Sequence, residues 1–299
     1  MTTEYADWMH DRRGLAVETQ AGRCAEARRF LAWLGPRATT EQLAQLGVPD
    51  LDAYVTDRAA SLRRISLKSV TVNLRSFLRY LHGTNRTTHD LSVAIDGPRV
   101  YADEGIPSVL SEADVTGVLE TTRRDRSAIG RRDYAILMLL ATYGLRAGEV
   151  TALRLDDLDW RHDLIRIHHA RTGAHSELPF LAGVGDAIVQ YLQDGRPQVT
   201  CREIFIRSRA PYRPFRSGSS LYTPIRRRLA AAGITPQGKK GPHTFRHARA
   251  VSLLRAAVPV KHIGDILGHR SADSTRVYLK LATNDLRAIG LDIPTEVPA

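Results

Sequence analysis

Apolar positions in the first hundred residues repeat at helical spacing. Cys24, Ala27, Leu31 and Leu34 share one side of the segment from Thr19 to Leu34, and Gly35-Pro36 stops the pattern. A stronger stripe follows Ser66, where Val70, Leu74, Phe77, Leu78 and Leu81 line one face and Gly83 stands at the expected C-terminal cap. Residues 96–107 (DGPRVYADEGIP) carry two prolines, two glycines and no periodicity, which predicts a linker. Ser111-Glu112-Ala113-Asp114 then has the form of a capping box opening a new helix. Asp133 is expected to begin another, ending near Gly144. Beyond Trp160 the period changes: Leu164 to His168, a turn with Gly173, and Ser176 to Phe180 predict a β-hairpin. Helices resume at about Val184. The pattern predicts a mainly α chain with three parts: a helical domain over 1–95, the linker, and a mostly helical domain over 108–299 with a small inserted antiparallel sheet.

Length and composition narrow this picture. A chain of 299 residues with 43% hydrophobic and 25% charged residues can bury one large core or two ordinary ones. The longest apolar run, Tyr134 to Thr142, is about half of the roughly 20 residues that span a bilayer. The start, MTTEYADWMH, lacks the basic-then-apolar order of a signal peptide. Cys24 and Cys201 are the two cysteines, too few for a disulfide framework or a cysteine-built zinc site. A cytoplasmic protein is expected.

Charge adds the first functional hint. Residues 1–105 hold 14 basic and 13 acidic side chains and residues 106–199 hold 11 and 13, whereas residues 200–299 hold 18 and 6. So concentrated an excess suits a polyanion, although it also suits a solubilising surface. Arginines dominate, 38 to five lysines, and their planar fork can bind two phosphate oxygens.

Three short segments carry candidate chemistry. His243-Thr244-Phe245-Arg246-His247 follows Gly241-Pro242, which fits a helix start and puts positions 243, 246 and 247 on one face. Such a face at a helix N-terminus suits an anion. Two histidines four apart would also suit zinc, but the metalloprotease pattern needs a glutamate where Thr244 stands. Leu267-Gly268-His269 is followed by Tyr278 nine residues after the histidine, and Val258 to Tyr278 taken alone fits a helix-turn-helix, with the glycine in the turn. Gly144-Leu145-Arg146-Ala147-Gly148-Glu149 places Arg146 and Glu149 at i, i+3, which alone reads as an ordinary ion pair.

Together these segments resemble the signature boxes of the tyrosine recombinases, or phage integrases. GLRxxE at 144–149, HxxRH at 243–247, and LGH followed after nine residues by tyrosine agree in order and spacing. The resemblance runs from about Ser108 to Asp285, and residues 1–95 are similar, more weakly, to the family's helical core-binding domain. It implies that Tyr278 attacks a DNA phosphodiester to form a 3′-phosphotyrosine, splitting one hard exchange into two easier ones. Arg146 and Arg246 would clamp the non-bridging oxygens. His243 and His269 would assist as acid, base or donor, and Glu149 would orient Arg146 or His247. The resemblance implies no metal and no other cofactor. It implies double-stranded DNA as substrate, with a homotetramer, or partner recombinases, on paired sites and no membrane. The tail after Tyr278 would dock on a neighbouring protomer.

One position departs from the pattern. The family's hairpin-turn lysine protonates the departing 5′-oxygen, but no lysine lies between Lys68 and Lys239, and the matching residue is Arg171. Arginine keeps the charge and gives up its proton far less readily, its pKa exceeding roughly 12. Three readings stay open: Arg171 stabilises the leaving oxygen by charge alone, His168, His169 or His175 supplies the proton, or the chain is an attenuated DNA-binding protein. A type IB topoisomerase would share the same nucleophile and arginines. For DNA backbone contacts the candidates are Lys68, Arg75, Arg79, Arg226, Arg227, Arg228, Lys239 and Lys240. Arg202 to Arg216 adds five arginines among aromatic residues.

Overall fold

The computed structural model of the chain describes residues 1–15, 17–99, 109–169, 173–236 and 240–268. It divides into two compact units, Met1–Glu104 and Gly105–Ala299. Arg171, Lys239, His269 and Tyr278 lie outside the described residues, as do the tail and most of the expected linker.

The first unit contains helices α1 (Thr2–Arg13), α2 (Val17–Leu34), α3 (Thr40–Leu43), α4 (Val48–Ser61) and α5 (Arg64–Gly83). The stripe on α5 buries completely or nearly so, and it meets Tyr5, Phe30 and Tyr54 in one aromatic cluster. Each such side chain contributes roughly 1.5–3 kcal/mol by leaving water. Gly83 is the last helical residue rather than the cap. Thr84 takes that role, its hydroxyl donating to the Tyr80 carbonyl at 2.8 Å. A threonine side chain can satisfy an orphan carbonyl without the left-handed backbone for which glycine is suited.

The second unit begins with α6 (Glu112–Arg124). Ser111 Oγ accepts from the Asp114 amide at 3.0 Å, and the Asp114 carboxylate accepts from the Ser111 amide at 3.1 Å, the capping box in both directions. Next is α7 (Ala128–Tyr143), capped by Ser127 and closed by Gly144 with φ 66°. Asp133, expected to open this helix, instead lies buried within it, bonded to Arg132 and Arg228. Ala135, Ile136, Leu137, Leu139 and Leu140 are all at 0% exposure, so α7 is covered over most of its surface and forms the axis of the core, with Tyr134, Met138 and Ala141 half-buried on the remaining face.

After the short α8 (Ala147–Ala152) come β1 (Leu158–Asp159), β2 (Leu164–His169) and β3 (Ala174–Pro179), antiparallel in the order β1-β2-β3. The hairpin register pairs His168 with His175 and His169 with Ala174. Strand β1 adds to the predicted hairpin and carries no signal of its own, because two residues are too short to show a period. The Tyr143 hydroxyl donates to the Pro179 carbonyl at 2.7 Å and accepts from the Leu181 amide, fastening α7 to the end of the sheet. Helices α9 (Ala182–Asp194), α10 (Tyr222–Ala231), α11 (Pro242–Arg255) and α12 (Val260–Ile266) follow. Ile188, Ile225 and Phe245 bring α9, α10 and α11 into the core around α7. Among the described residues no helix is long and apolar enough to cross a membrane.

Candidate active site

Local structure explains how the first box presents its arginine. Gly144 ends α7 in the left-handed region, Leu145 anchors in the core at 2% exposure, and the chain turns so that Arg146 caps α8. The Glu149 carboxylate accepts from the Arg146 amide at 2.7 Å and from the Arg146 guanidinium at 2.8 Å. The i, i+3 spacing thus makes a capping box and an ion pair at once. Only 23% of the Arg146 side chain is exposed, and that of Glu149 is buried.

The third partner of Glu149 comes from the sheet. His169, last residue of β2 and buried, stands 2.7 Å by Nδ1 from Glu149 Oε1, and its Nε2 is 2.8 Å from Ser176 Oγ. Burial alone would raise the Glu149 pKa. Hydrogen bonds from His169 and from the Arg146 amide and guanidinium overcome it, and the carboxyl sits below its ordinary value. Glu149 is therefore ionised at neutral pH and His169 Nδ1 donates to it. Both ring nitrogens of His169 have partners, Glu149 on α8 and Ser176 on β3. His168 is half-exposed, 2.8 Å by Nε2 from Asp157, with the His175 ring edge-on at 4.5 Å.

The second box opens α11. Gly241 is the N-cap, Pro242 the first helical residue, and the Thr244 hydroxyl returns to the Gly241 carbonyl at 2.7 Å. The predicted shared face divides. His243 is exposed and His247 half-buried, with ring centroids 6.1 Å apart. Arg246 is buried and donates to the Gly144 carbonyl at 2.9 Å and to the Leu267 carbonyl. Arg146 donates to the next carbonyl along, that of Gly268, at 2.8 Å. Two arginines a hundred residues apart thus converge on adjacent carbonyls immediately before His269. The two guanidinium groups stand together in a largely desolvated setting. Such an arrangement can bind and polarise a tetrahedral anion. Among the described residues no three His, Cys, Asp or Glu side chains gather in a way that could hold a metal ion.

The DNA-contact candidates separate by what their guanidinium groups already do. Lys68, Arg226 and Arg227 are exposed and Lys240 is partly so. Arg228 differs: it donates to Asp133 at 2.8 Å and to Asp125 at 2.6 Å and is 15% exposed, so it ties α10 to α7 and its charge is spent internally. Arg75 donates to the Ile95 carbonyl and Arg79 to Ser92 Oγ at 3.3 Å. In the basic stretch, Arg202 pairs with Asp156, while Arg207, Arg209, Arg213 and Arg216 are exposed.

The fold is that of DNA-recombining proteins. It matches the crystal structure of the XerH site-specific recombinase bound to palindromic difH substrate, a post-cleavage complex, with TM-score 0.71 and 15% identity over 97% of this chain and 84% of that one. It likewise matches a lambda integrase dimer bound to a COC′ core site, with TM-score 0.69 and 14% identity over 99% and 96%. The phage integrase family model matches residues 108–285. A protein described as a putative integrase/recombinase, y4gC of Sinorhizobium fredii, is 55% identical over 195 residues, 65% of this chain and 100% of that one. The chain belongs to the phage integrase family, the tyrosine recombinases.

Proposed function

We propose that the chain cuts and rejoins DNA at specific sites through a 3′-phosphotyrosine at Tyr278. The observation that carries this reading is the convergence of Arg146 and Arg246 on the segment that runs straight into His269. The arginines clamp the scissile phosphate, whose extra charge in the transition state they offset. His243 and His269 assist the proton transfers and donate to the phosphate, and Arg171 stabilises the departing 5′-oxygen by charge. Exposed Arg226, Arg227 and Lys68 and partly exposed Lys240, with Lys239, hold the backbone of the duplex. Residues 1–95 serve as a core-binding domain and 108–299 as the catalytic domain, joined by 96–107. The DNA-bound dimer of lambda integrase supports assembly on DNA, here as a tetramer on paired sites. A DNA substrate and two free cysteines support a cytoplasmic location.

The test is a duplex of the native flanking DNA, nicked so that the cleaved end diffuses away. Wild type is expected to form an SDS-resistant adduct and Tyr278→Phe none. An adduct that survives Tyr278→Phe overturns the assignment of the nucleophile. A faster Arg171→Lys identifies arginine as the poorer acid, and an adduct from Arg171→Lys alone marks the natural chain as attenuated. Relaxation of plasmids that lack any site would point to a topoisomerase instead.

A further inference from the structure

His169 lies between two parts of this site, touching Glu149 on one side and Gly268 on the other. Through Nδ1 it holds Glu149, which in turn holds the Arg146 guanidinium and amide. Through Nε2 it meets Ser176 on β3, so its ring cannot rotate without breaking bonds on two elements. Its flat side supports Gly268: a Cβ built there would lie 2.7 Å from His169 Cε1. Gly268 in turn offers its carbonyl to Arg146. The contacts close into a ring, His169 to Glu149 to Arg146 to Gly268 and back to His169. In sequence, His169 stands two residues before Arg171 and Gly268 one before His269.

We infer that His169 is a positioning residue for strand cleavage: it sets the aim of Arg146 through Glu149 and the height of the segment entering His269 through Gly268. The inference rests on the proposed recombinase reading. The chemistry favours this role over proton transfer, because a buried imidazole with both nitrogens engaged has none left for a DNA oxygen. It also gives a reason for a polar ring at a buried strand end, where it meets Glu149 and Ser176. A carboxylate with three donors is held in one place, and a guanidinium fixed by that carboxylate on one side and a carbonyl on the other loses little entropy when phosphate arrives.

The experiment compares wild type, His169→Leu and His169→Gln for DNA affinity, thermal midpoint and the rate of covalent adduct formation. Each rate is measured on the ordinary nicked duplex and on one whose scissile linkage is a methylphosphonate. Removing one oxygen's charge removes what Arg146 is aimed at. On ordinary DNA His169→Leu is expected to slow cleavage by roughly 10²-fold, the usual consequence of misplacing a catalytic group by about 1 Å. Affinity should change little. On the methylphosphonate the penalty should shrink to a few-fold, and His169→Gln, which can still donate to Glu149, should recover part of the rate. Equal penalties on the two substrates, or a loss of affinity that accounts for the slower rate, would overturn the inference while leaving the recombinase reading intact. A wild type that forms no adduct on either DNA overturns both.

Discussion

Arg246 donates to the carbonyl of Gly144 at 2.9 Å, across 102 residues, so the second signature box is bolted to the first residue of the other. Gly144 is also the C-terminal cap of α7, and Arg246 thereby satisfies a carbonyl that the helix leaves orphaned. The proposed catalytic role and a structural one meet in a single side chain at 3% exposure. Arg246→Ala should therefore cost both cleavage and stability, since two carbonyls lose a charged donor at about 1–3 kcal/mol each. Arg146→Ala should abolish cleavage with a smaller stability loss, because Arg146 is 23% exposed and water can replace it. Urea unfolding alongside the adduct assay separates the two. Equal stability losses would mean that Arg246 is no more structural than Arg146.

What can be read from residues alone has short range. The α5 stripe, the Ser111 capping box and the hairpin are written in spacings of two to four residues, and the three boxes in local strings that match a family. Long-range pairing is not written that way. Asp133 has the residue type of a helix start, yet its real partner is Arg228, 95 positions away, and the true cap, Ser127, carries glycine rather than an acid at its third helical position. In sequence His169 reads only as a proton source, because nothing local ties it to Glu149, 20 residues earlier on another element. Arg228 resembles its neighbours Arg226 and Arg227 for the same reason: a run of three basic residues on a helix does not say which one faces inward.

Glu149 makes the site's stability depend on acid. Its pKa in the fold lies below the ordinary 4.5, since bonds from His169 and Arg146 outweigh burial. A depressed carboxyl contributes stability that is fully present above the unfolded value and lost as pH falls through the folded one. Wild type should thus exceed Glu149→Gln in stability at pH 7, and the gap should narrow once pH drops below about 4.5 and close in stronger acid. Urea midpoints at pH 7, 4 and 3 test this. A gap that stays constant would mean the carboxylate's charge is not its source.

The three arginines of α10 should behave in two ways. Exposed Arg226 and Arg227 are predicted to bind phosphate, so replacing both with glutamine should flatten the dependence of log affinity on log salt by about 0.9 for each phosphate no longer neutralised. Arg228→Gln should leave that slope unchanged and lower stability, because it strips a partner from buried Asp133 at roughly 1–3 kcal/mol. Binding titrations at several salt concentrations, paired with unfolding curves, decide it. A flatter slope from Arg228→Gln would return that residue to the DNA surface.

Gly268 sits at φ +61° against the His169 ring. Alanine there meets two separate costs. Left-handed backbone costs a non-glycine residue about 1–2 kcal/mol wherever it occurs. The clash, by contrast, exists only because the ring is present, with 2.7 Å between the added Cβ and Cε1. A double-mutant cycle separates them: Gly268→Ala should be less damaging in a His169→Ala background, with a coupling energy on the order of 0.5–3 kcal/mol. Strictly additive losses would show that ring and glycine do not press on each other. The seat of the segment entering His269 would then have to be sought in the two arginine–carbonyl bonds alone.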